Sequence, residues 1–342
     1  MSKKATIYDI AKELKITAAT VSRALNNNPK ISEKTRELVL ATATRLNYKQ
    51  NRLAVALKSG KSNNVGVIVP FINKNFFASV IRGIEDELYP KGFHVIISQT
   101  HEDKEREKKI IQNLINAQVD GILLSTSFTN INKDELRFEL KKPSLFVFFD
   151  RTLNFKDISS VTIDDYQGAF DATEHLIQQG CKRIAHFDVD QNIELYKNRF
   201  KGYKDALKKH NVKFKGEYVI SIKSNMEAGK EAAEKLMKLP VPPDAIFSST
   251  DNGLLGAVKY LQSQSVLIPE TFCVVGFSNE PFTKFLEPSI SSVDQSPLEM
   301  GKMAAKVLLE QIEKNPVVNS KNDVILPAKL IVRKSSCKTK KN

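Results

Sequence analysis

Thr17, Thr20 and Arg23 stand three residues apart, so on a helix they share one face. Two hydroxyls and a guanidinium in that arrangement suit phosphates and base edges rather than bond-making chemistry. A guanidinium can donate two hydrogen bonds to a guanine, the commonest base-specific contact. Thr17, Ala18 and Ala19 would open the helix, where residues meet base edges in a major groove. Ala18 and Ala19 offer only apolar contact, for example to a thymine methyl, so discrimination shifts onto Arg23 and the hinge that follows the module. Ser22 and Asn26 complete the candidate set on this helix, and Thr6 joins it from the helix before. Catalytic constellations are missing. No Gly-x-x-x-x-Gly-Lys-Ser/Thr loop, Gly-x-Ser-x-Gly elbow or His-Glu-x-x-His pair occurs. The five histidines are scattered, and Cys181, Cys273 and Cys337 share no metal-like spacing. The expectation is no enzyme, no cofactor and no metal.

The elements that must carry these residues are short helices. Thr6 caps the first, with Asp9 three residues on in a capping-box pattern. Ile7, Ile10, Ala11 and Leu14 give it one apolar face. Lys15-Ile16 breaks that pattern, and Thr17 caps a second helix whose Val21 and Leu25 face inward. Two helices at this turn length form a helix-turn-helix. Ser32 caps a third, with Val39, Ala43 and Leu46 turned to the same core. Asn51 can cap a further piece, Arg52 to Leu57, too short to be stable alone in water and expected to fold on binding.

Charge separates this module from the rest. Residues 1–60 hold twelve Lys/Arg against four Asp/Glu, and residues 333–342 add five bases and no acid. The whole chain carries +13, so residues 61–332 are neutral. A polyanion partner therefore belongs to the N-terminal module. No N-terminal apolar h-region and no run of eighteen apolar residues occurs, which excludes secretion and membrane spanning from the expectation and places the chain in the cytoplasm.

Ile7-Tyr-Asp-Ile-Ala11, Thr20-Val-Ser-Arg23, Thr35-Arg36, Leu46-Asn-Tyr48 and Asn51-Arg52 resemble the N-terminal module of the LacI/GalR transcription regulators. The match is dense over about sixty residues and looser up to about Ser336. It implies paired hinge helices from two subunits in the minor groove. A leucine matching Leu57 would wedge into the central base step, and Leu53 would meet its symmetry mate, with Asn51, Arg52 and Ala54 beside them. A homodimer on a roughly palindromic operator is implied as well.

From Asn64 onward apolar runs alternate with helical stretches. Val65–Val69, Val95–Ile97, Gly121–Leu124, Phe146–Phe149 and Val161–Ile163 read as buried strands. The pattern then begins again with Arg183–Phe187, Tyr218–Ile220, Ala245–Phe247 and Cys273–Phe277. Ten- to fifteen-residue helical stretches separate them, including a short one at Asp134–Leu140. The expected architecture is an N-terminal all-α helix-turn-helix module plus an α/β two-lobed sensor of two doubly wound parallel sheets. The resemblance makes the sensor periplasmic-binding-protein-like. Domain 1–60 includes the hinge helix 51–57, and 61–333 is the effector-binding and dimerisation domain. Its N-lobe is about 61–162 and 293–323, and its C-lobe about 163–292 and 324–333. The resemblance also implies three crossings between lobes, placed near 162, 292 and 323, and 334–342 reads as a basic disordered tail.

Ligands of such a fold sit at the carboxyl ends of its strands. Phe71, Phe76, Phe77, Ser125 and Asp150 stand there in the first lobe, and Thr250, Asp251 and Ser278 in the second. The resemblance implies effector contacts for Asp150, Arg199, Ser125, Phe76 and Phe77. Ser278 stands where the family commonly has an acid, a weaker partner for a hydroxyl pair, so the ligand class stays open. The function expected is a transcriptional regulator, a repressor whose operator affinity is set by a small-molecule effector such as a sugar. An activator or ligand-independent regulator of the same fold is the alternative. A solute-binding protein is the alternative from another class, opposed by the basic helix-turn-helix.

Overall fold

Thr6 opens α1 (Ile7–Leu14) as its spacing predicts: its backbone N–H donates to Asp9 Oδ2 at 2.8 Å and its hydroxyl to the same oxygen at 2.7 Å. This computed structural model describes residues 5–48, 61–127, 146–190, 192–313 and 321–338. The expected hinge helix, with Asn51, Arg52, Leu53, Ala54 and Leu57, and the short helix expected at 134–140 lie outside the described residues. The chain divides into two units, Met1–Ser62 and Asn63–Asn342.

In the first unit α1 stops where its pattern breaks. Lys15 takes a left-handed φ of 53°, and the Ile16 N–H returns to the Ala11 carbonyl at 3.0 Å. Thr17 Oγ1 accepts the Thr20 N–H and caps α2 (Ala18–Leu25). Ser32 Oγ does the same for Thr35 at the start of α3 (Glu33–Arg45). Ile10, Ala11, Val21, Ala24, Val39 and Ala43 form the shared core. Arg36 donates to the carbonyls of Asn28 and Ile31, tying α3 to the loop after α2.

The second unit contains two sheets. The first is built from β1 (Asn64–Val69), β2 (His94–Gln99), β3 (Gly121–Leu124), β4 (Phe146–Phe149) and β5 (Ser159–Ile163), with helices α4 (Asn75–Leu88) and α5 (Lys104–Asn116). The second is built from β6 (Ile184–Asp188), β7 (Val219–Ser221), β8 (Ala245–Ser248), β9 (Cys273–Phe277) and β10 (Ser291–Asp294). Its helices are α6 (Asp165–Gln178), α7 (Glu194–Lys209), α8 (Met226–Met237) and α9 (Asp251–Ser263). The chain then returns to the first lobe as α10 (Pro297–Glu313) and β11 (Asp323–Leu326), and ends in the second as β12 (Lys329–Ile331). Strand orders are β11-β5-β4-β3-β1-β2 and β12-β10-β9-β8-β6-β7. Every pair is parallel except β10 with β12, so the second sheet has an antiparallel edge that the alternation of elements did not predict.

Alternate residues of the buried strands feed opposite faces. Val147 and Phe149 join one core while Phe146 and Phe148 join another, which is why these runs read as continuously apolar. Helix α10 is held on α4 by two glycines: a Cβ at Gly83 would strike the Leu298 carbonyl, and one at Gly301 the Val80 carbonyl.

Each crossing falls a few residues later than expected, at 163–165, 294–297 and 326–329. The strands run on as long as they have a partner. Ile163 still pairs with Leu326, and Asp294 with Lys329. Residues 293–294 therefore belong to the C-lobe sheet and 324–326 to the N-lobe sheet. The tail also departs from expectation. Lys334–Ser336 is a helical turn whose Ser335 and Ser336 are fully buried. Ser335 Oγ donates to the Val274 carbonyl at 2.8 Å, and Ser336 Oγ lies 2.7 Å from Ser291 Oγ. Small hydroxyls bury readily when each finds a partner, which a count of basic residues does not reveal.

Candidate DNA-reading face and effector cleft

Helix α2 presents an open face. Ala19, Arg23 and Asn26 are exposed at helical spacing, with Thr17 exposed at the N-cap. Thr17 and Thr20 hydroxyls lie 2.9 Å apart, and Asn26 Nδ2 donates to the Ser22 carbonyl at 2.8 Å. These bonds hold the two ends of the helix and leave the Arg23 guanidinium to reach outward. Thr20 and Ser22 are half-buried. Ala18 turns half inward and packs on the small core, so of the two alanines Ala19 is the one on the open face. Thr6 is exposed but its hydroxyl is spent on Asp9. Tyr8 is 72% exposed on the polar side of α1.

The second site is a cleft of about 1030 Å³ between the lobes. Phe71, Phe76 and Phe77 line it from the first lobe, with Phe76 and Phe77 packed edge to face at 5.1 Å and set in the core behind. Asp150 follows β4 in a left-handed conformation (φ 59°), and Ser125 Oγ donates to its Oδ2 at 3.2 Å. Burial pushes the Asp150 carboxyl up, against the pull of the Arg151 and Arg199 charges. Arg151 pairs with Glu102 at 2.9 Å, an ion pair within one lobe rather than between lobes.

From the second lobe, Arg199 projects from α7 and is 2% exposed. Its Nε donates to Asp165 Oδ1 at 2.8 Å, its Nη2 forms an ion pair with the same oxygen at 2.8 Å, and Nη1 donates to the Ser249 carbonyl at 2.8 Å. Its guanidinium lies 3.6 Å from the centroid of the Phe277 ring. Arg199 is thus both anchored and on the cleft wall. Burial lifts the Asp165 carboxyl to about 6, with Arg199 pulling the other way. Thr250 lines the cleft and caps α9. Ser278 lines it with φ 119°, a conformation side chains rarely adopt.

Two expected contacts stand behind the wall instead of on it. Ser125 is fully buried and bears on the cleft through Asp150. Asp251 is 1% exposed, accepting from Ser292 Oγ and from the Glu280 N–H at 2.8 Å. Burial lifts its carboxyl to about 7, and these bonds lower it. Tyr196, Asn252 and Gln295 line the cleft and were not singled out. Tyr196 and Asn252 sit in first helical turns just after strands, a position that could have flagged them. Gln295 sits on a crossing between lobes, which sequence spacing does not locate.

Comparison with known proteins bears on both sites. Residues 6–51 match the model of bacterial regulatory proteins, lacI family, and residues 173–336 match that of a periplasmic binding protein-like domain. The chain is 34% identical over 334 residues to catabolite control protein A of Priestia megaterium, covering 97% of this chain and 99% of that one. The chain belongs to the lacI family of bacterial regulatory proteins. It is also 32% identical to the ribose operon repressor of Halalkalibacterium halodurans, over 97% of each. Among solved structures, the complex of transcriptional regulator CelR with cellobiose matches with a TM-score of 0.72 at 26% identity, covering 97% of this chain and 100% of that one. The lac repressor dimer bound to operator shares the fold with a TM-score of 0.86 at 22% identity, over 98% and 99%. Among the described residues of this lacI-family regulator, no helix is long and apolar enough to cross a membrane, and no cluster of three or more His, Cys, Asp or Glu could hold a metal.

Proposed function

We propose that this lacI-family protein is a cytoplasmic, homodimeric repressor. It would bind a roughly palindromic operator through α2, and its operator affinity would be set by a small-molecule effector in the cleft. The observation that carries this reading is the open face of α2, where a capped helix holds Ala19, Arg23 and Asn26 outward. The basic charge of the same module supplies phosphate affinity. With roughly 6–10 phosphate contacts, binding falls about 10³–10⁵-fold between 50 and 200 mM salt. The family resemblance supports a DNA role for residues 51–57, with Leu57 as the wedge in the minor groove.

The cleft supports a polyhydroxylated ligand, a sugar or related metabolite. It sets carboxylate acceptors (Asp150, Glu280) beside guanidinium donors (Arg151, Arg199) and aromatic faces (Phe71, Tyr196). Ser278, an uncharged hydroxyl beside Glu280, favours a ligand that does not demand a bidentate acid there. A ligand that prefers one lobe arrangement shifts the population between them, and a coupling of about 1–3 kcal/mol changes operator affinity about 5–150-fold.

The test is selection of binding sites from random DNA by the full-length protein, then operator titration with ribose, cellobiose and a wider panel of sugars, sugar phosphates and nucleobases. A palindrome whose affinity one compound shifts is expected. Absence of any selected site at low salt would sink the reading. Leu57→Ala is expected to weaken operator binding far more than binding to random DNA. Equal losses on both would remove the wedge.

A further inference from the structure

Three residues after β9, Ser278 to Glu280, form a loop whose outer members line the cleft while the middle one, Asn279, does not. Ser278 and Asn279 both have positive φ, 119° and 50°. Two such residues in succession persist only where surrounding bonds over-determine them. Asn279 provides those bonds. Its N–H donates to Ser292 Oγ at 2.9 Å and its Nδ2 to Asp294 Oδ2 at 3.2 Å, and its Oδ1 accepts from Arg333 Nη2 at 2.6 Å. A guanidinium only donates and a carboxylate only accepts, so the amide has one orientation here.

Both partners lead away from the loop. Arg333, beyond β12, also donates to the Ile290 carbonyl at 2.7 Å and to Thr283 Oγ1 at 3.2 Å. Asp294 ends β10 at the second crossing between lobes. Its Oδ1 accepts the Ser296 N–H at 2.8 Å, and the Ser296 carbonyl in turn accepts the Met300 N–H, beginning α10 in the other lobe. Gln295, between these two, lines the cleft, is 4% exposed, and makes no side-chain hydrogen bond among the described residues.

We propose that Asn279 is a positioning residue that couples the effector cleft to the second crossing between the lobes. The proposal rests on reading the cleft as the effector site. A ligand that bonds to Ser278 or Glu280 at one end and to the unpartnered Gln295 at the other engages both sides of a single asparagine side chain. The loop then cannot shift without drawing on Asp294 and on α10, which the glycine contacts of Gly83 and Gly301 lock to the first lobe.

Hydrogen exchange of the full-length protein without ligand tests this, comparing wild type, Asn279→Ala and the exposed-site control Lys284→Ala. Exchange in Asn279→Ala is expected to rise about tenfold both in 278–284 and in 294–300, with β1, β3, β6 and β8 unchanged. Asn279→Asp is a second variant that keeps the Arg333 bond but sets a carboxylate against Asp294. It is expected to speed exchange in 294–300 with a smaller rise in 278–284. Wild-type exchange over 294–300 in either variant overturns the proposal, as does a rise spread evenly over the whole second lobe. Because no ligand is present, these outcomes are separate from whether any compound in an effector panel binds.

Discussion

The two functional regions are built in opposite ways. On α2 the side chains proposed to reach a partner are exposed, and their positions are fixed by caps three or four residues away: Thr17 to Thr20, Asn26 to Ser22. In the cleft the comparable side chains are held by residues far off in the chain. Arg199 depends on Asp165 and Ser249, and Asp251 on Glu280 and Ser292. A reading face can be redesigned residue by residue on a constant scaffold. A cleft residue cannot be changed without disturbing the packing that places it.

Arg199→Ala is the strongest challenge to this contrast. It leaves Asp165 buried without its partner and is expected to destabilise the sensor domain by about 3–5 kcal/mol in denaturant unfolding. A change below about 1 kcal/mol would mean that the cleft tolerates substitution as freely as α2. Arg23→Ala is expected to weaken operator binding by about 1–3 kcal/mol and to relax preference at one base pair, with sensor stability unaltered. Unchanged preference in a titration over variant operators would show that α2 does not read bases through Arg23. Thr17→Ala removes the cap and is expected to cost the small module about 0.5–2 kcal/mol, read as its own thermal transition.

A last effect is on pH dependence. Asp165 and Asp251 have folded-state carboxyls lifted to about 6 and about 7 from an ordinary 3.8. A raised folded value means stability that is full below about 3.8 and is lost as pH rises through the folded value. The sensor transition should therefore fall by about 2–4 °C for each kcal/mol lost as pH rises from 3.8 to about 7. Asp251→Asn should flatten that slope, since the amide does not ionise. The small module contains neither group, and a matching fall in its transition would assign the effect elsewhere.

The legibility of the two regions differs for the same physical reason. Capping, helix periodicity and basic charge act within a few residues, so Thr6, Thr17 and Ser32 marked the three helices and Lys15 marked the break. The alternation of strands and helices gave both sheets of the sensor, because buried parallel strands must be apolar on both faces. The antiparallel direction of β12 was hidden, since a three-residue strand carries no mark of direction. Arg199 was identified through family resemblance, and the structure places it on the cleft wall. Ser125 was expected at the ligand from its strand end and from the resemblance, and Asp251 from its strand end; the structure shows the Ser125 hydroxyl bonded to Asp150 and the Asp251 carboxyl accepting from the Glu280 N–H.

The sequence by itself determined the helix-turn-helix, the separation of a basic module from a neutral two-lobed domain, and the residues at the strand ends. Only the tertiary structure decided where the chain crosses between lobes, that Ser335 and Ser336 are core, and that Asn279 joins Arg333 to Asp294 across 54 and 15 residues of chain. Caps and periodicity are interactions between near neighbours and leave a pattern in the chain. Crossings and buried polar partners are set by which distant segments come to lie side by side, and no local spacing records that.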